Sequence, residues 1–466
     1  MRRVAVAALL VLCACQRDVA PSLRLADGGL PNIVLITVDT LRADHLGCYS
    51  PTASGFTPSM DRLASQGILF ERASASVPAT LPALASLMTG RYPGGHPVRT
   101  NLGRLPVGIP VLAEILQGAG YKTAAFYGNS LLDLRSGFAR GFQGYTSFVG
   151  LGGAVDPRGA DMVRGWLDFG LRQPWFLWVH FMDPHGPYDS APLSWSEGLP
   201  AGALPDVTLP FSDTNYGLGV IPKYQRLAGV DRANAYRRRY AGDVRFTDAQ
   251  VGRVLDAIDE RGLRPRTLVV LTADHGESLG EHDYYFQHGW FPFEPGIHVP
   301  LLMRLPAGER PLRIAAPVSL VDIVPTVIRG LDLPMPDGVE GRDLGPALGG
   351  KEPPVAPSFA VTAYMNQMTA LRQANWKLVH TPVVVPAAGD PWAGFYASKE
   401  SFALFDLATD PSETRDLAAS EPARVDELRP VLSQWEKAHG IPFGKAPEVD
   451  LDEQTRERLR NLGYGD

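Results

Sequence analysis

The chain has 466 residues, a formal net charge of −6, and 45% hydrophobic and 20% charged residues. This length allows a large hydrophobic core divided between two domains, and the composition is typical of a globular protein. The small acidic excess excludes the basic character expected of a nucleic-acid-binding protein, so we expect no nucleic-acid partner.

The N-terminus has the features of a targeting segment. Two arginines precede an apolar run over residues 4–12, which is too short to cross a bilayer as a helix. The run ends in Leu-Cys-Ala-Cys, which resembles a bacterial lipobox in which Cys15 is lipidated. We therefore predict a lipoprotein-type signal peptide over residues 1–15 and a polar tether over residues 16–30. A plainly cleaved secretory signal is the alternative.

This segment also predicts where the protein acts. The expected location is the bacterial cell envelope, with the protein lipid-anchored at the outer membrane or in the periplasm, or else secreted. Contact with a membrane is expected only through the N-terminal lipid anchor. Cys48 is the one cysteine that follows the signal, so we expect no disulfide within the mature chain.

Residues 31–350 alternate between strand-like and helix-like patterns. Apolar runs predict β-strands over residues 32–39, 123–127, 175–181 and 267–272. Helical periodicity predicts helices over residues 110–118, 159–172 and 237–259. Such alternation predicts an α/β fold, with a mainly parallel β-sheet sandwiched by helices.

The pattern changes after residue 350. Short runs over residues 358–364, 370–372 and 376–380 predict antiparallel strands, and a helix is expected over residues 422–438. We therefore expect an α/β domain over residues 31–350 and a smaller α+β subdomain over residues 351–466.

Polar residues follow three of the predicted strands. Asp39 ends the first run, Asp183 and His185 come just after residues 175–181, and Asp274 and His275 follow residues 267–272. In parallel sheets the ligand lies beyond the carboxyl ends of the strands. Carboxylates and imidazoles at three such ends predict a functional site there.

Residues 80–93, T-L-P-A-L-A-S-L-M-T-G-R-Y-P, begin with Thr80 at the start of a helix-compatible run that closes at Thr89 and Gly90. A side-chain oxygen at a helix N-terminus lies in a positive field, which suits attack on an anionic ester. The residues alone leave open a plain helix N-cap role for Thr80, and Ser76 is a second candidate hydroxyl.

The same segment resembles the active-site signature of the sulfatases, in the alkaline phosphatase superfamily. There a Cys or Ser nucleophile lies nine positions before the Thr of T-G-R-Y-P, and the same count from Thr89 reaches Thr80. The resemblance implies that Thr80 is the nucleophile.

Four further motifs support the resemblance, which extends from Pro31 to about residue 420. Residues 38–49 (V-D-T-L-R-A-D-H-L-G-C-Y) and 273–277 (A-D-H-G-E) resemble the two metal motifs of the family. Residues 179–188 (V-H-F-M-D-P-H-G-P-Y) resemble the substrate-side His motif, and residues 287–289 (Q-H-G) match the position of a catalytic Lys or His. The resemblance implies an alkaline-phosphatase-like fold and a sulfatase-like catalytic domain over residues 31–350.

The resemblance also implies a metal site. Asp39, Asp274, His275 and the Thr80 oxygen are the expected ligands of one divalent ion, and this ligand set suits Ca²⁺, Mn²⁺, Mg²⁺ or Zn²⁺. The ion would lower the pKa of the Thr80 hydroxyl.

Two groups of residues complete the expected site. His185 or His288 is expected to protonate the leaving oxygen. Candidate substrate contacts are Thr40, His96, Asn101, Asn129 and Asp183. A rim or structural role is the alternative for His96 and Asn101, and a chain turn is the alternative for Asp183.

Three departures from the family pattern bear on the reaction. Thr80 stands in place of Cys or Ser and cannot become formylglycine, so its ester must be hydrolysed at phosphorus or sulfur. Leu84 replaces an Arg and Asn129 a Lys, which weakens binding of a dianionic monoester more than of a monoanionic ester.

We therefore expect a metal-dependent hydrolase of sulfate or phosphate-type esters, in which the threonine suggests a phosphodiester or phosphonate ester. The expected partner is a sulfated or phosphorylated glycan, lipid or small-molecule ester. The alternatives are an envelope phospho-group transferase and a catalytically silent glycan-binding relative.

Overall fold

The computed structural model describes residues 22–149, 159–169, 172–306, 308, 310–364, 367–385, 397–441 and 453–464. The predicted signal peptide, with Cys15, lies outside the described residues. In the described part of the chain, no helix is both long enough and apolar enough to cross a membrane.

The strands fall into one large sheet and three smaller ones. In chain order they are β1 (Asn32–Val38), β2 (Ile68–Phe70), β3 (Ala73–Ser74), β4 (Lys122–Tyr127), β5 (Gly144–Ser147), β6 (Trp175–Phe181), β7 (Thr267–Ala273), β8 (Ser278–Leu279), β9 (Tyr285–Gln287), β10 (His298–Val299), β11 (Leu301–Arg304), β12 (Leu312–Ile314), β13 (Val318–Ser319), β14 (Ser358–Val361), β15 (Thr369–Gln373), β16 (Trp376–Thr381) and β17 (Ser401–Asp406).

The large sheet has the strand order β12-β2-β11-β7-β1-β6-β4-β5. Strand β1 lies between β6 and β7 and is parallel to both, whereas β11 runs antiparallel to β7. Every residue of β1, β6 and β7 is buried, which explains why these strands are continuous apolar runs without alternation. The predicted mainly parallel sheet is confirmed.

The helices cover this sheet in two groups. They are α1 (Pro58–Gln66), α2 (Thr80–Thr89), α3 (Leu112–Gly118), α4 (Gly159–Asp168), α5 (Ala233–Glu260), α6 (Glu294–Ile297), α7 (Ile323–Gly330), α8 (Gly345–Leu348), α9 (Pro422–His439) and α10 (Glu453–Asn461). Helices α1 and α4 pack on α5, while α3 and α7 pack on α2. Helix α2 ends at Thr89. Gly90 follows it with a left-handed φ of 68°, so the helix closes at the position that the Thr-Gly pair predicted.

A second, antiparallel sheet follows the main domain. Strands β14, β15, β16 and β17 pair in sequence order, and α9 packs on β15 and β16. Its core joins strand residues such as Leu371 and Leu378 to Leu428 and Leu432 of α9. This part of the chain has the α+β character expected after residue 350.

Two segments depart from the expected organisation. Leu23 and Leu25 are buried, and the Leu23 amide donates a hydrogen bond to the Gly330 carbonyl at 2.7 Å. The described end of the predicted tether is therefore packed against the body. At the other terminus, Leu459 and Tyr464 belong to the core of the main domain rather than to the α+β subdomain.

Candidate active site

Four of the predicted site residues meet where the central strands end. Asp39 follows β1, Asp274 and His275 follow β7, and Thr80 is the first residue of α2. All four have no exposed surface. They lie together because β1 and β7 are parallel neighbours, which brings their carboxyl ends to one edge of the sheet.

The distances define a compact cluster. His275 Nε2 lies 3.3 Å from Thr80 Oγ1, 3.6 Å from Asp39 Oδ1 and 3.7 Å from Asp274 Oδ2. One ligand atom from each of Asp39, Asp274 and His275 lies within 4.8 Å of the others. These separations suit side chains that share one metal ion.

The hydrogen bonding of the cluster also fits a cation. Asp39 Oδ1 and Asp274 Oδ2 are buried, and neither has a hydrogen-bond partner among the described residues. Thr40 Oγ1, next in the chain, is buried and unpartnered in the same way. Buried carboxylate oxygens without donors are costly, and a metal ion satisfies them. The two carboxylate oxygens are therefore donors of the kind that a hard divalent cation prefers.

The two carboxylates influence each other strongly. Burial, and then the charge of Asp39, raises the pKa of Asp274 well above its ordinary value. Burial acts in the same direction on Asp39, but the neighbouring His180 ring and the charges of His185 and His275 hold the pKa of Asp39 below its ordinary value. Two buried carboxylates this close ionise together only when a positive charge compensates them.

Thr40 has a strained backbone beside this pair. Its φ of 57° is left-handed, which is unusual for a β-branched residue. Its amide donates to Asp274 Oδ1 at 3.3 Å, and the Tyr240 hydroxyl donates to its carbonyl at 2.7 Å. These two bonds hold the turn after β1, so Thr40 lies beside the Asp39 and Asp274 carboxylates.

Thr80 is not the N-cap of α2. The cap residue is Ala79, which has no capping side chain, and the free amide of Leu81 instead donates to Asn101 Oδ1 at 2.9 Å. The Thr80 hydroxyl is thus left free to face His275. Asn101 has the structural role that its sequence position left open. Ser76 contributes its carbonyl to a hydrogen bond from Val361, at the contact with the second sheet.

The two predicted proton donors lie beside the cluster. The ring centroid of His288 is 4.4 Å from that of His275 and 5.1 Å from that of His185. Burial lowers the pKa of His185, and it lowers that of His288 to about 4. His185 Nδ1 contacts the Gly186 carbonyl at 2.7 Å, and its Nε2 is unpartnered within the described structure.

Glu277 is a site residue that the sequence reasoning missed. It is fully buried, and its Oε1 lies 3.1 Å from His288 Nδ1. Burial raises the pKa of Glu277 to about 7. Glu277 is part of the A-D-H-G-E motif in the sequence. An acidic residue so soon after a predicted buried strand was the signal that could have identified it as a site residue.

Asn129 and His180 both contact Asp39. Asn129 Nδ2 donates to Asp39 Oδ2 at 2.7 Å, and His180 Nε2 lies 3.6 Å from the same oxygen. His180 is placed by its Nδ1, which lies 2.8 Å from Thr37 Oγ1. Asn129 therefore positions a carboxylate of the cluster, and His180 is a second contact that sequence reasoning missed.

Two other candidates, His96 and Asp183, have no hydrogen bond to the cluster within the described structure. His96 Nε2 lies 2.9 Å from Ser86 Oγ, in the middle of α2. Asp183 is buried, and burial raises its pKa to about 6. Its charge in turn raises the pKa of Asp243 on α5, after the larger effect of burial.

The chain is similar to known proteins in sequence and in fold. Residues 31–333 match the family model described as Sulfatase. A steryl-sulfatase of Mus musculus is 27% identical over 533 aligned residues, which cover 90% of this chain and 83% of that protein.

Solved structures share the fold. The phosphonate monoester hydrolase of Agrobacterium radiobacter superposes with a TM-score of 0.68 at 23% identity, covering 88% of this chain and 96% of that one. A protein solved in complex with its substrate D-glucosamine-2-N,6-O-disulfate superposes with a TM-score of 0.69 at 19% identity, covering 88% and 98%. The predicted alkaline-phosphatase-like fold is confirmed.

Proposed function

This chain belongs to the sulfatase family of ester hydrolases, and from that premise we propose that Thr80 is its nucleophile and that its native ester is phosphorus-centred, a diester or phosphonate ester. One observation carries the proposal. The Thr80 hydroxyl lies at the N-terminus of α2 and 3.3 Å from His275, within the cluster of Asp39, Asp274 and His275. A nucleophile there faces both the helix dipole and the candidate metal site.

Family members are metal-dependent, and the buried acidic cluster fits a divalent ion. Asp39, Asp274 and His275 would hold one ion, with the Thr80 oxygen as a fourth ligand. Ca²⁺, Mn²⁺, Mg²⁺ and Zn²⁺ all suit these donors. When bound, the ion would lower the pKa of the Thr80 hydroxyl and draw charge from a non-bridging ester oxygen.

The protein's own residues then have separate tasks. The Thr80 hydroxyl gives its proton to one of the neutral imidazoles beside the cluster and its oxygen attacks sulfur or phosphorus. The bond to the leaving oxygen breaks, and a covalent Thr80 ester forms. His288 or His185 gives a proton to the leaving oxygen, and Glu277 orients His288 through their 3.1 Å contact. Water hydrolyses the Thr80 ester in the second step and restores the hydroxyl.

The preference for phosphorus over sulfur rests on Thr80, which cannot become formylglycine. The charge of the site bears on the charge of the ester, whether the central atom is phosphorus or sulfur. Leu84, where the family pattern has Arg, is fully buried in the hydrophobic core and contributes no cation. Asn129, where the pattern has Lys, is a neutral amide bonded to Asp39. A site with two fewer cations favours a monoanionic ester over a dianionic one.

A structural neighbour supports the proposed class of substrate. The neighbour bound to a disulfated glucosamine supports a charged glycan or small-molecule ester as the partner of this site. No feature of the described site favours the transferase or the silent glycan-binding alternative.

The proposed location is the bacterial envelope, with a lipid on Cys15. Support comes only from residues 1–15, where basic and apolar residues precede the Cys-containing tetrapeptide. Labelling of cells with radioactive palmitate should mark the wild type and not Cys15→Ala. Equal labelling of both proteins would exclude this anchor.

The decisive experiment compares Thr80→Ala with the wild type on aryl sulfate, phosphate monoester, phosphodiester and phosphonate ester substrates. We expect Thr80→Ala to lower kcat/KM by about 10³-fold or more. Thr89→Ala is the matched control, because Thr89 is a buried threonine at the other end of α2 whose hydroxyl donates to the Ala85 carbonyl. Activity retained in Thr80→Ala excludes Thr80 as nucleophile, and turnover of the sulfate ester alone excludes the phosphorus preference.

A further inference from the structure

The C-terminal end of the described chain reaches into the candidate active site. Tyr464 is 2% exposed, and its hydroxyl lies 3.2 Å from Asn129 Nδ2, although 335 positions separate the two residues in the sequence. Its ring centroid is 5.0 Å from that of His185. Burial raises the pKa of Tyr464, and the nearby Thr80 and Asn129 side chains oppose this rise. One tyrosine therefore contacts a candidate proton donor and the amide that positions Asp39, beside the cluster that contains the proposed nucleophile.

The hydrogen-bond directions at Asn129 are determined by its other contacts. Its Oδ1 accepts from the Leu131 amide at 2.9 Å, so its Nδ2 must be the atom that faces Asp39 and Tyr464. An amide nitrogen only donates, and the Tyr464 oxygen therefore accepts from it. The single phenolic hydrogen of Tyr464 is then available to donate on the Thr80 side.

We propose that Tyr464 is a hydrogen-bond donor of the reactive centre, and this inference rests on the proposed function. Its hydroxyl donates to the Thr80 oxygen in the free enzyme and to a non-bridging oxygen of the anionic ester once the ester is bound. The family pattern has cations where this chain has Leu84 and Asn129. A neutral donor from the C-terminal segment thus supplies part of the anion binding that those cations would give. A hydrogen bond to an anion is stronger than one to a neutral acceptor, so the contact favours the charged substrate.

Several contacts hold the C-terminal segment in this position. Asn215 Nδ2 donates to the Arg460 carbonyl at 3.1 Å, and Leu459 lines a small pocket together with Leu81 and Asn101 of the α2 region. Gly463 has a left-handed φ of 85° and lies against the Tyr224 ring. A side chain at this position would be strained and would meet that ring at 3.0 Å. The turn before Tyr464 is therefore specific to glycine.

The test uses two variants of the full chain. Tyr464→Phe removes only the hydroxyl, and Tyr464→Ala removes the ring as well. Tyr121→Phe is the matched control, because Tyr121 is a buried tyrosine just before β4, at the opposite edge of the sheet, and its hydroxyl has no hydrogen-bond partner in the described structure.

We expect Tyr464→Phe to lower kcat/KM for the ester by about 10²-fold, comparable to the loss of one oxyanion donor, with the melting temperature and metal content unchanged. Tyr121→Phe should retain wild-type kcat/KM. A kcat/KM for Tyr464→Phe within twofold of the wild type, or a rise in turnover by Tyr464→Ala, would overturn the proposal. The rise would show instead that the segment blocks the site.

A binding measurement separates this proposal from the proposed function. Inorganic phosphate is titrated into metal-loaded wild type and Tyr464→Phe by calorimetry, and we expect about tenfold weaker binding to the variant, as for one hydrogen bond to a charged group. Equal affinity would overturn the role of Tyr464, whether or not an ester is hydrolysed. Failure of the wild type to hydrolyse any ester would overturn the proposed function, whereas weaker phosphate binding to the variant would still support the donor role.

Discussion

A buried charge cluster joins the main domain to the second sheet and gives a sharp test of the packing. Lys377 on β16 is completely buried, with Nζ 3.1 Å from Glu294 Oε1 and 2.7 Å from Glu413 Oε1. Arg372 Nη1 lies 2.9 Å from Glu294 Oε2. Glu294 belongs to α6 of the main domain, so these ion pairs cross the boundary.

The pKa values show how the charges balance. Burial acts to raise the pKa of Glu294, but the charges of Arg372 and Lys377 outweigh it and lower the pKa to about 2. Burial raises the pKa of Glu413 to about 7 despite its contact with Lys377. With both carboxylates ionised, two positive and two negative charges cancel.

Lys377→Met leaves two buried carboxylates with one guanidinium. Removing one partner of a buried ion pair costs about 3–5 kcal/mol, because the remaining charge stays buried without compensation. We expect a loss of this size in the free energy of unfolding at pH 8. The loss should shrink at pH 5, because Glu413 then takes up a proton.

Equilibrium unfolding in denaturant measures the effect. Lys122→Met is the control, because Lys122 is exposed at the start of β4 and its loss should change stability by less than about 0.5 kcal/mol. Adding Glu413→Gln to Lys377→Met should recover part of the loss by restoring neutrality. A loss below about 1 kcal/mol, or no recovery in the double variant, would refute the reasoning about buried charge.

Two further predictions concern the metal cluster and the second sheet. Asp274→Asn should abolish stoichiometric divalent-ion binding, measured by elemental analysis. It should leave the melting temperature of the metal-free protein unchanged, because burial and the charge of Asp39 already raise the pKa of Asp274. A large fall in the melting temperature of the metal-free variant would contradict this. The second prediction concerns His380. Burial acts to lower its pKa, but hydrogen bonds and charges from Glu436 and Glu400 outweigh burial and raise the pKa of His380. Its stabilising effect is therefore complete below about pH 6.5 and lost as pH rises through the folded-state pKa, so His380→Gln should flatten the melting-temperature profile between pH 6 and pH 9. Identical profiles would refute the link.

Much of the fold was predictable because burial leaves a pattern in the sequence. Strand β6 has the bounds expected from its apolar run, and α2 begins and ends where Thr80 and the Thr89-Gly90 pair indicated. The proximity of Asp39 to Asp274 was predictable too, because parallel strands end at one edge.

Other features had no local signal. Cys48 is partly exposed, and its amide donates a hydrogen bond to Asp61 Oδ1 at 2.7 Å. The segment that carries Tyr464 was assigned to the second subdomain by its position in the chain, yet it packs in the main core. Neither its apolar pattern nor its length indicates which surface it covers.

The sequence by itself determined the alternation of strands and helices, the strand ends that carry acidic and imidazole groups, and the threonine at the nucleophile position. These are local properties, since periodicity and turn residues act over a few positions. Only the tertiary structure decided that Asn129 holds Asp39, that Glu277 contacts His288, and that Tyr464 reaches Asn129. Such contacts join residues distant in the chain and depend on how complete elements pack, which no short pattern encodes.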